Sequence, residues 1–210
     1  MSLTFVNRDA ELEQLDAAAE QGGLLVVYGR RRVGKTRLLR RWLDARGGLY
    51  SQAIEASREI QVQQVHDDLR AQLKTGLTPR TWSELLELLR LQPAPWCLCL
   101  DEFPYLVATD PSLPSVLQKW LDHARPKGCL IVLSGSSTRM MRHLFLRPSA
   151  PLHGRARKLL HVRPMDYAAF SRACRQRIAN PASFEKFACV GGIPRYWEFL
   201  EPGQNVVKLA

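Results

Sequence analysis

The run Gly29-Arg-Arg-Arg-Val-Gly34-Lys35-Thr36 has the spacing G-x-x-x-x-G-K-[ST]. A loop of this kind turns backbone N–H groups towards one point. The helix after it presents its positive N-terminal end to the same point. Gly29 and Gly34 let the backbone approach phosphate oxygens with no side chain in the way. Lys35 supplies a point charge for the β- and γ-phosphates, and Thr36 an oxygen for Mg²⁺. Arg30, Arg31, Arg32 and Val33 complete the loop, and Arg37 follows it, so Gly29 to Arg37 are all candidate phosphate-site residues. The expected ligand is ATP or ADP with Mg²⁺.

Asp101-Glu102 closes the apolar run WCLCL. An acid at the carboxyl end of a buried strand faces the crevice where α/β sheets bind ligands. Asp101 is expected to hold Mg²⁺, directly or through water, and Glu102 to polarise an attacking water. The other reading of the pair is a helix cap. An Asp-Glu order favours hydrolysis over transfer to another acceptor. Ser134-Gly135-Ser136-Ser137 follows the run CLIVL. One hydroxyl there, taken as Ser136, can contact the γ-phosphate or the water. Another can cap the next helix. Arg155 in PLHGRARKLL reads on its own as a solvated arginine, and Pro194 in VGGIPRYW as the first residue of a helix.

These residues need elements to hold them. Apolar runs Leu24–Tyr28, Trp96–Leu100 and Cys129–Leu133 read as buried parallel strands, and Leu49–Ala53 as a further strand. Helical spacing covers Glu11–Gln21, the stretch with Leu38, Leu39, Trp42 and Leu43, that with Val62, Val65, Leu69 and Leu73, and that with Leu113, Val116, Leu117, Trp120 and Leu121. Thr81-Trp82-Ser83-Glu84 is a capping-box pattern, and Thr138–Phe145 is the helix after the serines. Strands alternating with helices imply a parallel sheet covered on both faces. The expected fold is α/β, a three-layer P-loop NTPase core over residues 1–160. A small helical subdomain is expected over 161–210, where Pro164, Pro181 and Gly191-Gly192 break short helical pieces. The apolar pattern Val206, Val207 and Leu209 suggests that the chain continues in a longer protein.

With 46% hydrophobic and 24% charged residues, the chain reads as globular. No apolar run approaches the ~18 residues of a membrane span, so no membrane partner is expected. The five cysteines, an odd number, read mainly as small apolar core residues and fit a cytoplasmic location. The net charge of +10 attracts polyanions. Much of the excess crowds the glycine loop and its helix, so nucleic-acid binding is expected to be weak.

Together, FVNRDAEL, YGRRRVGKT, LCLDEFPYL, LSGSS, PLHGRA and VGGIPRYWEFL resemble a prokaryotic family of AAA-type ATPases close to the STAND proteins. Asn7 stands where that family's first motif carries Gly. The resemblance implies that Phe5 and Arg8 line the adenine side and that the turn ending in Pro194 approaches adenine. It makes Arg155 a candidate arginine finger reaching a neighbouring copy in a homo-oligomer. It also implies that members continue into a winged helix and a nuclease-like domain. The function read from all this is Mg²⁺-dependent ATP hydrolysis. The alternatives are a slow nucleotide switch and an ATP-controlled DNA-associated module.

Overall fold

The computed structural model describes residues 4–73, 76–175, 178 and 180–200. Five strands form one sheet: β1 (Gly23–Tyr28), β2 (Leu49–Gln52), β3 (Cys97–Asp101), β4 (Leu130–Gly135) and β5 (Ala156–His161). Their order is β2-β3-β4-β1-β5, and every pairing is parallel. The strand that feeds the glycine loop and the strand that ends in Asp101 are therefore not neighbours. β4 lies between them.

Alternation along β1 assigns the two faces. Leu24 and Val26 point into one core, and Leu25 and Val27 into the other. The second core is covered by α1 (Asp9–Gln21) and α2 (Lys35–Arg46), through Leu15, Leu38, Leu39 and Trp42. The first is covered by α3 (Arg58–Leu69), α4 (Trp82–Arg90), α5 (Phe103–Thr109), α6 (Leu113–His123) and α7 (Thr138–Leu146). Both faces are dry: Leu25, Val26, Val27 and Leu130 to Leu133 have no exposed surface. Burying each such side chain contributes about 1.5–3 kcal/mol. The result is a three-layer α/β fold of the P-loop NTPase type.

After the sheet come α8 (Tyr167–Ala173), α9 (Pro181–Val190) and α10 (Pro194–Trp197). They gather around Ala169, Phe170, Ala173 and Trp197, with Val6 of the N-terminal segment packed against them. The apolar pattern at Val206, Val207 and Leu209 lies outside the described residues.

Two elements depart from the sequence reading. Residues 156–161, to which the sequence reading gave no strand, form strand β5. α5 starts immediately after Glu102 and had no counterpart in the periodicity. β4 also runs through Ser134 and Gly135, two residues past the expected end.

Candidate functional site

The glycine loop leaves β1 under pressure from β5. The Val162 N–H donates to the Tyr28 carbonyl at 2.8 Å, which brings the Val162 carbonyl over Gly29. A Cβ on Gly29 would sit 2.3 Å from that oxygen. Gly34 has φ 103°, in the left-handed region open to glycine. Arg32 takes φ 66° without being glycine, a strain of about 1–3 kcal/mol. Val33 is fully buried and anchors the loop. α2 then begins at Lys35 with Gly34 at its cap position and no side chain capping it. Its first-turn N–H groups point at the loop with the dipole behind them, an arrangement that receives anions.

The carboxyl ends of β3 and β4 supply the other groups. Lys35 is buried. Its Nζ donates to the Gly29 carbonyl at 3.0 Å, the Arg30 carbonyl at 3.3 Å and Ser136 Oγ at 2.8 Å. Ser136 in turn donates to Glu102, through Oγ to Oε1 and through its backbone N–H to Oε2 at 3.1 Å. This chain exists because β4 separates β1 from β3: a residue just past β4 stands between Lys35 and Glu102. Burial lowers the Lys35 pKa below the ordinary lysine value, and the Glu102 and Asp101 carboxylates partly oppose that shift.

Asp101 is fully buried. Its Oδ2 accepts from Thr36 Oγ1 at 2.5 Å and from Tyr50 Oη at 3.0 Å, and its Oδ1 accepts from the Glu102 N–H at 3.0 Å. Burial, and then the Asp101 charge, raise the Tyr50 pKa above the ordinary tyrosine value. Glu102 occupies the cap position of α5 with φ 54°, yet its carboxylate does not cap that helix. Of the serines, Ser137 caps α7 by accepting from the Met140 N–H at 3.3 Å, while Ser136 belongs to the site.

A cleft of about 640 Å³ opens over these groups, walled by Arg31, Arg32, Arg37, Arg40, Arg41 and Pro194 among others. Beside it is a cavity of about 30 Å³, lined by Phe5, Arg8, Arg37, Pro194 and Trp197. The Arg37 guanidinium lies 5.9 Å from the Phe5 ring centre. Arg8 lines that cavity, but its guanidinium is bound to the Val33 carbonyl at 3.1 Å, the Arg163 carbonyl at 2.9 Å and Glu11 at 2.7 Å. It fastens α1, the glycine loop and the segment after β5 to one another.

Arg155 is not brought to this site. It immediately precedes β5, whose Ala156 is level with Leu24 at the amino end of β1. At ~3.3 Å per strand residue, that is roughly 15 Å from the loop. Its guanidinium forks onto Asp122 at 3.0 and 2.8 Å and also donates to the Pro151 and His153 carbonyls. The physical reason is the register of β5 against β1, which fixes Arg155 at the amino ends of the strands, away from the carboxyl ends where the site lies. Sequence reasoning missed Tyr50 and Arg40. The only signal was a tyrosine in a short mixed stretch, LYSQ, with nothing to pair it to Asp101.

An ATPase domain family, described as predominantly from Archaea, matches residues 5–198. An uncharacterized protein of Methanocaldococcus jannaschii is 26% identical over 208 residues, covering 94% of this chain and 46% of that protein. The chain thus spans about half the length of that curated relative. Among solved structures, the Walker-type ATPase PABY2304 of Pyrococcus abyssi superposes with TM-score 0.72 at 20% identity, over 97% of this chain and 71% of that one. Drosophila ORC bound to DNA superposes with TM-score 0.56 at 18% identity, over 80% of this chain and 46% of that one. At these identities the likeness is one of fold.

Proposed function

We propose that this chain, which belongs to the family of ATPase domains predominantly from Archaea, binds ATP with Mg²⁺ at Gly29–Thr36 and hydrolyses it to ADP and phosphate. The observation that carries this is the Lys35–Ser136–Glu102 chain beside the Thr36–Asp101 contact, all at the mouth of an uncapped helix.

The residues fit the cofactor. Thr36 Oγ1 and Asp101 Oδ2 are hard oxygen donors of the kind Mg²⁺ takes, and they are already 2.5 Å apart. When bound, the metal neutralises charge on the phosphate oxygens. Lys35 Nζ exchanges its loop carbonyls for β- and γ-phosphate oxygens. Glu102 orients a water and accepts its proton at a carboxylate oxygen, while Ser136 fixes the direction of that carboxylate. In this reading Phe5, Arg8 and Pro194 border the base. The 30 Å³ cavity holds about two waters, so Phe5 and Pro194 must part to admit adenine.

Lys35→Ala should remove ATP binding in a calorimetric titration. Glu102→Gln should retain binding and lose about 10²-fold or more of phosphate release. Wild-type ATP affinity in the first variant, or unchanged turnover in the second, overturns the assignment.

A slow nucleotide switch is the second reading. It is favoured by both oxygens of Glu102 being engaged by Ser136. Multiple-turnover phosphate release separates it from an efficient hydrolase. A DNA partner is supported by exposed Arg31, Arg40 and Arg41 and by the DNA named for one fold neighbour. That binding should be weak and steeply salt-dependent. Salt-insensitive, sequence-selective binding in a shift assay would contradict it.

A further inference from the structure

Around Asp101 the structure closes a ring of side chains that the phosphate-loop motif does not account for. Thr36 and Arg40 are one turn apart on α2, so they share a face. Across from them, on β2, stands Tyr50. Its hydroxyl donates to Asp101 Oδ2 at 3.0 Å, the same oxygen that Thr36 Oγ1 reaches at 2.5 Å. The Arg40 guanidinium lies 4.7 Å from the centre of the Tyr50 ring, within cation–π range. Asp101 Oδ1 is held separately by the Glu102 N–H. The carboxylate is fully buried, so donors and not water set its rotation. Thr36 comes from the first turn of α2 and the Glu102 N–H from the neighbouring peptide. Among the described residues, Tyr50 is the one donor from another strand.

We infer that Tyr50 is a positioning residue: its hydroxyl, steadied by Arg40, fixes the Asp101 carboxylate in the orientation that receives Mg²⁺ beside Thr36. The inference rests on the Mg²⁺-nucleotide reading of the site. Tyr50 touches neither phosphate nor metal in this scheme and acts through Asp101. A carboxylate left with two donors rotates more freely, and loss of a partner that orients a metal ligand weakens metal affinity about 10–100-fold. β2 is one of the two edge strands, so Tyr50 also ties that edge of the sheet to the centre of the site.

The test uses Tyr50→Phe, which keeps the ring against Arg40 and removes only the hydroxyl. A fluorescent ATP analogue is titrated with Mg²⁺, and the Mg²⁺ concentration at half-maximal effect is read alongside analogue affinity in EDTA and the thermal midpoint of the ligand-free protein. Tyr50→Phe should need about tenfold more Mg²⁺, with unchanged affinity in EDTA. A merely structural tyrosine would shift the thermal midpoint and leave the Mg²⁺ requirement alone, which overturns the inference. Arg40→Gln, which leaves the hydroxyl in place, should raise the requirement by less. It replaces Tyr50→Phe as the test should that variant not fold, and an unchanged requirement then overturns the inference. Asp101→Asn separates the levels. A raised requirement in Asp101→Asn with none in Tyr50→Phe refutes the role of Tyr50 alone. No change in either refutes the metal site as well.

Discussion

At the scale of single residues, the glycine loop and the two acids facing it were legible and Tyr50 was not. The spacing from Gly29 to Thr36 identifies a phosphate loop because each position has a backbone or charge requirement that few residue types meet. Asp101 and Glu102 were legible because two acids directly after a fully apolar run must stand where a buried strand ends, at the mouth of the sheet. Tyr50 was invisible because its role depends on which strand lies beside β3, which spacing does not encode. The two loop glycines make a prediction that separates two kinds of constraint. Gly34→Ala meets no atom within 4 Å, so its cost is the strain of φ 103°, about 1–3 kcal/mol. Gly29→Ala drives a Cβ into the Val162 carbonyl, backbone against backbone, and should cost about 3 kcal/mol or more. Urea denaturation of the two variants without nucleotide measures both. Equal, small losses would mean that β5 yields easily and does not clamp the loop.

At the scale of elements, the fully buried strands and the β2 edge declared themselves and the β5 edge did not. β1, β3 and β4 are continuous apolar runs because helices cover both of their faces. β5 reads ARKLLH, with Arg157, Lys158 and His161 exposed. An edge strand has solvent along one side, so its sequence carries charge, and charged edges also discourage pairing with other chains. That composition hid the strand inside a basic stretch. α5 escaped because its seven residues begin with Phe103-Pro104 and are too short to show a period. The capping box at Thr81 was legible in part. Thr81 Oγ1 accepts from the Glu84 N–H at 3.2 Å, but Glu84 reaches back to the Arg80 N–H instead of that of Thr81.

At the scale of the whole molecule, Arg155 carries the question of assembly. The Asp122 carboxyl lies below the ordinary aspartate value of 3.8 because Arg155 hydrogen-bonds to it. A depressed aspartate stabilises the fold above its unfolded value and loses that contribution as pH falls through the folded value. The pair is therefore intact at neutral pH. The stability difference between wild type and Asp122→Asn should hold at neutral pH and vanish in the acid range below about 3.8. An arginine finger acting on a neighbouring copy must first leave Asp122. If Arg155 has that role, Asp122→Asn should strengthen the rise of ATPase activity per chain with protein concentration. Mixing Arg155→Ala with Lys35→Ala should then restore part of the activity. Concentration-independent turnover without rescue leaves Arg155 as the fastener between α6 and β5. The order of the strands also governs how the chain is born. β1 is synthesised before both of its hydrogen-bonding neighbours, β4 and β5, which come about a hundred residues or more later. At ~5–20 residues per second, the phosphate-loop strand waits roughly 5–20 s on the ribosome with its backbone unpaired. Until then a nascent chain has an apolar LLVVY segment without its sheet, the stretch most in need of a chaperone. Chains arrested before Leu130 should leave the amides of Leu24 to Val27 open to deuterium exchange, and chains arrested well after His161 should protect them.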